Sequence, residues 1–554
     1  MRYFLISLFA SVLVNVSGQS TDVPLNSSIY DIVDRWDAKS EKPFFSTVKP
    51  ISRTSIARFS KQQPEEVSGV STQDLHSVRL ETREYQDTLW RGNKVNRRFY
   101  SYPSDFISVS QKDFDFHLNP IIALSAGKES TSGDLIFTNY RGLEMRGTID
   151  DKLSFYTLLT ENQARYASYV RNVIDSTLNV PYEGFWKQYG DTGVDFLRAQ
   201  AYVDFNMTKH IAAQFGYGKH FIGNGERSLI LSDFSNNYPY LRIQTQIWKF
   251  QYTNLFAQLT AETYGGTFGL LGTGSFPKKH LALHHLEMNI TDNFSLGLFE
   301  SVIYGKADSL GNNGLKVEYL NPIIFYRALE QQDGSADNAI LGLDFKWTIW
   351  KTASIYGQLV IDELIVSKAF SGDGYWENKQ AFQLGAKYFD AFGINNLKLQ
   401  AEWNQVRPYT YAHQSNYTSY THYNQALAHP LGANFREFLF SGTYRISPKL
   451  TATGDLLLAK YGNDIGAFSQ GRDILKSYNL RDMSVITGVE LLQGDETDLM
   501  LIHGKVSYQW FHNCFTSVDF TYRSESSESG KVNSTTSIFS FSVGYNFPSR
   551  SYLF

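Results

Sequence analysis

Side chains able to carry chemistry are spread along this sequence rather than gathered in one motif. The densest run is Gly218-Lys219-His220-Phe221-Ile222-Gly223-Asn224-Gly225-Glu226-Arg227-Ser228-Leu229. Its paired glycines suggest a phosphate cradle, but the third glycine and the strand–helix setting are missing. A tight turn with left-handed glycines is the simpler reading. His284 and His285 are neighbours in an alternating segment, so their rings point to opposite faces and do not share a metal. His413, His422 and His429 fall in one loop-rich segment and read as surface-loop histidines. Ser, His and Asp are abundant without a Gly-x-Ser-x-Gly elbow, and a triad built across strands would show only in geometry. No catalytic residue, metal site or cofactor is assigned, and the chain reads as a non-enzyme. The single cysteine, Cys514, makes neither an internal disulfide nor a Cys-based zinc site. Such scarcity suits export to an oxidising compartment.

Aromatic side chains are the stronger signal. They make up 15% of the 554 residues, with 35 Tyr and 40 Phe. Stretch 409–423 is dense in Tyr, Ser, Thr and His. Aromatic faces stack on the C–H faces of sugars while amides and carboxylates meet hydroxyls. Aromatic girdles at the two interfaces of a membrane barrel account for much of the same excess. A formal net charge of -4 gives no basic field for nucleic acid.

Elements must position these groups. Arg2, the apolar run 3–14 and the small residues Ser17 and Gly18 read as a signal peptide over 1–18. That run is shorter than the roughly 20 residues a membrane helix needs, and no later run supplies them. Membrane insertion of the mature chain must therefore use strands. Region 19–104 reads as helical and linker. Asn26, Ser27 and Ser28 offer caps, and Ile29, Ile32, Val33 and Trp36 share a helical face. A second helix starts at Pro50-Ile51-Ser52 with Ile56 and Phe59 on one side. Ser71 and Thr72 precede a third, with Leu75, Val78 and Tyr85.

From residue 105 the period becomes two. Leu197, Ala199, Ala201, Val203 and Phe205 alternate with Arg198, Gln200, Tyr202 and Asp204. Leu341 to Ile349, Leu397 to Trp403, Phe438 to Ile446 and Phe539 to Phe547 repeat the pattern. One face is greasy and the other carries Lys, Arg, Gln and Asp. Lipid cannot satisfy backbone polar groups, so such a sheet must close on itself. The fold class is all-β: a transmembrane antiparallel β-barrel of about 16–18 strands over 105–547, with a small N-terminal helical region. Segments 331–338, 371–379, 404–429 and 524–534 read as loops. Pro548 breaks the last strand and leaves a tail over 548–554, so the barrel-assembly signal is the strand ending at Phe547.

The run Phe221 to Asp233, with Asn237-Tyr238-Pro239-Tyr240-Leu241, resembles the Wzi-type capsule-assembly family, most closely its Bacteroidota branch with gliding-motility-associated barrels. Ser28 to Trp36 with Lys49-Pro50-Ile51-Ser52-Arg53 is similar to the family's helical start. Glu318-Tyr319-Leu320-Asn321-Pro322 and Ala428-His429-Pro430-Leu431-Gly432-Ala433-Asn434 are similar to two later segments. Ile222-Gly223-Asn224-Gly225 departs from the Trp-Gly-Pro-Gly-like run of better-known members. The resemblance implies an outer-membrane barrel of roughly 18 strands with periplasmic helices, holding surface polysaccharide. Asn224, Arg227, Asp233, Asn237 and Asn321 combine amide or charge chemistry with these segments and are the candidate ligand-binding residues. Expected partners are surface polysaccharide, outer-membrane lipid and the barrel-assembly machinery. A solute channel, suggested by lumen-facing Lys346, Lys398, Gln400 and Glu402, and an accessory role in surface motility or secretion are the alternatives.

Overall fold

The computed structural model describes residues 20–63, 70–86, 102–150, 152–261, 276–305, 316–322, 337–369, 372–415, 417–547 and 552–554. The proposed signal peptide lies outside them. Among the described residues, eighteen long antiparallel strands form one closed barrel, from Phe114–Glu129 to Asn533–Tyr545. Strand Asn533–Tyr545 pairs with Phe114–Glu129 through Tyr545↔Ile122 and Ile538↔Glu129, which removes both sheet edges. Successive long strands are neighbours throughout. Ile107–Ser110 and Lys187–Tyr189 add short pairings to the wall.

Alternation maps onto the two faces. In strand Phe435–Arg445, Phe438 and Phe440 are exposed while Glu437 and Leu439 are buried inward. Leu197, Phe215 and Phe539 are 72%, 61% and 60% exposed on their own outward faces. An apolar exterior of this kind is the pattern of membrane barrels. The adjacent histidines obey the same rule. His285 turns inward to Asp344 at 2.6 Å, and His284 turns outward to Asn254 at 2.5 Å.

One end of the barrel has tight turns, such as those joining Ile349 to Ala353 and Phe511 to Cys514. Trp248 and Trp350 stand exposed there, as an interfacial girdle requires. The other end carries the long connections 166–192, 219–237, 407–434 and 464–494. Segment 524–534 is mostly strand, since Cys514–Ser527 and Asn533–Tyr545 leave only a short turn. These strands continue beyond the apolar belt, where both faces are polar and the period-two hydrophobic signal vanishes. For the same reason residues 404–406 belong to strand Leu397–Val406.

Helices α1 (Ile29–Lys39), α2 (Arg53–Ser60) and α3 (Val70–Glu81) sit at the tight-turn end. The predicted α1 face of Ile29, Ile32, Val33 and Trp36 packs with Ile56, Phe59 and Val78. Ser52 caps α2 by accepting the Ser55 N–H. Helix α3 already includes Ser71 and Thr72, and Tyr85 lies in the 3-10 turn that follows it. The polar face of α1 meets the barrel. Asp31, Asp34 and Asp37 recur every three residues and pair with Lys398, Lys387 and Lys346 from three strands. Arg35 reaches Asp390 at 2.8 Å, and Arg445 pairs with Asp74 of α3.

Connections 219–237 and 407–434 fold inward instead of standing out in solvent. Leu229, Ile230, Leu231, Tyr411, Tyr420 and Leu427 are buried in the largest apolar cluster, which lies inside the lumen. His413, His422 and His429 are buried too, which corrects their reading as surface histidines. Once a connection enters the lumen, its polar groups must be satisfied by wall and plug rather than by water.

Candidate functional site

The inward connection 219–237 is built around a carboxylate. Gly225 passes so close to Glu402 that an added Cβ would lie 2.2 Å from its Oε2. The next two N–H groups, of Glu226 and Arg227, donate to the same carboxylate at 2.9 and 3.1 Å. The positive φ belongs to Gly223, at 153°. Gly225 is thus required by close approach rather than by a left-handed turn. Gly223 N–H donates to Thr47, and Val48–Lys49 pairs antiparallel with Phe221–Ile222. The segment before α2 is thereby stitched to the inward connection.

Four of the five candidate residues lie on this connection, each with its own partner. Asn224 is buried and donates to Thr47 Oγ1 at 3.2 Å. Arg227 is buried, donates to Glu437 at 3.1 Å and also reaches the carbonyl of Leu553. Asp233 accepts from Asn26 at 2.8 Å. Asn237 donates to the Ala199 carbonyl at 2.6 Å. Asn321 is elsewhere. Its segment lies on the outer wall, where Tyr319 packs on Phe256, Ala282 and Val302 and Tyr252 donates to Pro322.

Burial opposes the charge of Arg227 most strongly, but Glu437, Tyr182 and Glu402 together raise the guanidinium pKa. Burial lowers the pKa of His429 despite Glu437 at 2.8 Å. The neutral ring then donates through Nε2 to Glu437, while Nδ1 accepts the Leu431 N–H. Burial likewise brings His422 down to about 3. Its Nδ1 accepts the Thr260 N–H at 2.8 Å, and its Nε2 donates to the Asn237 carbonyl at 3.1 Å. These histidines are separately engaged, and among the described residues no three His, Cys, Asp or Glu converge on a metal-sized site.

A different kind of surface forms at the long-loop end, from connections 364–378, 407–434 and 464–494. Trp376 packs against Tyr478 at 5.3 Å and edge-on against Tyr409 at 6.4 Å. The Arg481 guanidinium lies 3.5 Å over Trp376, and Lys379 Nζ lies 4.2 Å over Tyr478. His413 meets Tyr478 edge-on at 5.7 Å. Tyr375 and Tyr478 keep part of their rings accessible, beside exposed Gln414 and Asn479. Cation–π packing holds the rings rigid, and the neighbouring amides supply donors and acceptors. Accessible ring faces beside amides form an aromatic shelf whose faces can stack on apolar C–H surfaces while the amides meet hydroxyls. In the sequence, segment 371–379 reads as a polar loop and 409–423 as a stretch dense in Tyr, Ser, Thr and His. Tyr478 and Arg481 carry no local signal, because 464–494 has no periodicity and their partners lie far away in sequence.

Comparison with known proteins places this architecture. The model of the capsule assembly protein Wzi family matches residues 116–537. Among solved structures, Escherichia coli Wzi, described as an outer membrane protein involved in group 1 capsule assembly and a carbohydrate-binding β-barrel, superposes with a TM-score of 0.57 at 13% identity, covering 96% of this chain and 99% of that one. Pseudomonas aeruginosa OprD gives 0.42 at 11% identity over 78% of this chain and 94% of its own. Acinetobacter baumannii OccAB2 gives 0.43 at 8% over 78% and 97%. A search of curated proteins returned no match. With its match running over most of the barrel, the chain belongs to the Wzi capsule-assembly family of outer-membrane β-barrels.

Proposed function

We propose that this barrel holds surface polysaccharide at the cell exterior through the aromatic shelf at its long-loop end, without catalysing a reaction. The observation that carries this reading is the rigid stack of Trp376, Tyr478 and Arg481 beside accessible Tyr375, Gln414 and Asn479. Each sugar contact is weak, and a repeating polymer multiplies it by avidity. The tight-turn end, with α1–α3, faces the periplasm, because short turns lie there in outer-membrane barrels. Lipid covers the apolar belt, and the barrel-assembly machinery inserts the sheet. Asn224, Arg227, Asp233 and Asn237 serve the ligand indirectly, by holding the inward connection that supports the loops. Asn321 braces the outer-wall segment.

The test is retention of polymer. Purified protein in detergent is offered polysaccharide from the producing cell, and cells carrying each variant are scored for attached polymer. Tyr478→Ala removes one stacking face, and Arg481→Gln frees Trp376. Each is expected to weaken binding about 3- to 10-fold per contact. Unchanged retention in the double variant, with the barrel folded, sinks the reading. The solute-channel reading predicts conductance in a planar bilayer instead. The lumen is occupied at one end by α1–α3 and farther in by connections 219–237 and 407–434, which favours a silent trace.

A further inference from the structure

The last described residues, 552–554, do not lie in the barrel wall. They sit inside the lumen, against the helix Ser168–Thr177, the inward connection 219–237 and one wall strand. The Phe554 ring is 6% exposed and meets Phe234 at 5.9 Å and Tyr169 at 6.0 Å, both edge-on. The Tyr552 ring meets Tyr166 at 5.2 Å and Tyr182 at 5.8 Å, again edge-on. Each of the three carbonyls accepts from a different element. Tyr169 of α4 (Ser168–Thr177) donates to Tyr552 O at 2.9 Å. Arg227 of the inward connection donates to Leu553 O. Arg523 of strand Cys514–Ser527 donates through Nε to Phe554 O at 3.1 Å.

From this geometry we infer that the lumen contains a binding site for a short peptide segment with aromatic residues at its first and third positions, and that residues 552–554 fill it as a tethered ligand. Main-chain recognition by three separate side chains, with two ring pockets for alternate residues, is how peptide grooves read an extended segment. The two arginines are preorganised for it. Arg227 is held by Glu437, and Arg523 is held by Glu525 at 3.0 Å and lies 5.0 Å over the Tyr169 ring. Neither needs the tail for its charge balance, so the donors stay aimed when the segment leaves. Tethering supplies an effective concentration near the millimolar range, so modest intrinsic affinity keeps the site filled. This inference does not rest on the polysaccharide reading.

The experiment uses the detergent-purified full chain beside a form lacking residues 552–554, both checked for folding by heat-modifiable gel mobility. The truncated barrel is expected to bind the synthetic tripeptide Tyr-Leu-Phe saturably. Tyr-Leu-Ala should bind at least about tenfold more weakly, since it loses a buried ring. The intact chain should bind neither. A folded truncated barrel that ignores both peptides, or takes them equally, overturns the proposal. A second arm does not depend on the truncated form folding. Leu553→Cys in a Cys514→Ser background is expected to react with a bulky maleimide at least about tenfold more slowly in the folded barrel than after denaturation. Adding Arg523→Gln should speed the reaction. Labelling of the folded barrel at the denatured rate overturns the inference.

Discussion

Replacing Arg227 by Met tests how the inward connection is held. The Arg227 side chain is 8% exposed, its Glu437 partner is fully buried, and His429 shares that carboxylate from 2.8 Å. Removing the guanidinium leaves a buried carboxylate facing the His429 ring and the Asn404 amide at 3.0 Å. Breaking a buried ion pair from one side costs about 3–5 kcal/mol, whereas replacing both partners together is often close to neutral. Arg227→Met is therefore expected to lose about 3–5 kcal/mol, and the double variant Arg227→Met/Glu437→Gln to recover most of it. Urea unfolding in detergent, followed by tryptophan fluorescence and heat-modifiable mobility, measures both. A single variant that loses less than about 1 kcal/mol, or single losses that simply add in the double variant, would show that the pair is not the brace inferred here.

Gly225→Ala pushes a Cβ onto Glu402 and is expected to destabilise the fold by about 1–3 kcal/mol. Gly504→Ala, where a Cβ meets nothing within 4 Å, should be nearly silent in the same melt. His422, held neutral by burial with its pKa down to about 3, stabilises the inward connection fully above the unfolded value near 6.5. That contribution falls by up to about 1.4 kcal/mol per pH unit on acidification from there toward pH 3. Hydrogen exchange of segment 407–434, corrected for intrinsic rates, should therefore accelerate between pH 7 and 5, and His422→Gln should flatten the change. Phe440→Arg places a charge on the lipid face and should cost about 2–4 kcal/mol in a bilayer refolding titration, a loss absent from a soluble sheet. Lys387→Met leaves Asp34 of α1 without its partner and should raise protease cleavage of the helical region while the barrel stays folded.

Much of the wall was legible because a membrane-facing exterior imposes a period of two: outward positions such as Phe438, Phe440, Phe539 and Phe541 are large and apolar, while inward positions mix polar residues such as Glu437 and Ser540 with apolar ones such as Leu439. Helix α1 was legible for the same kind of reason, since Ile32, Val33 and Trp36 share one buried face. Where lipid ends, the signal ends, and residues 524–527 and 533–534 looked like loop although they pair as strands. The inward course of 407–434 was hidden because its buried Tyr, Thr and His side chains have the composition of a surface loop; only their partners, such as Asp362 accepting the Tyr411 N–H, reveal the burial. The cluster around Asn224 and Arg227 stood out through family-like residues, but its partners Glu402 and Glu437 lie some 175 to 210 residues away. The shelf combines three distant connections, and no local spacing records that Arg481 will cover Trp376.

The most direct test is a structure of the barrel with an oligosaccharide fragment of the cell's own surface polymer bound. Sugar density stacked on Tyr478 and Tyr375, with hydroxyls at Gln414 or Asn479, is the expected result. Sugar density confined to the lumen beside Asn224 and Arg227, with none at the shelf, would contradict it.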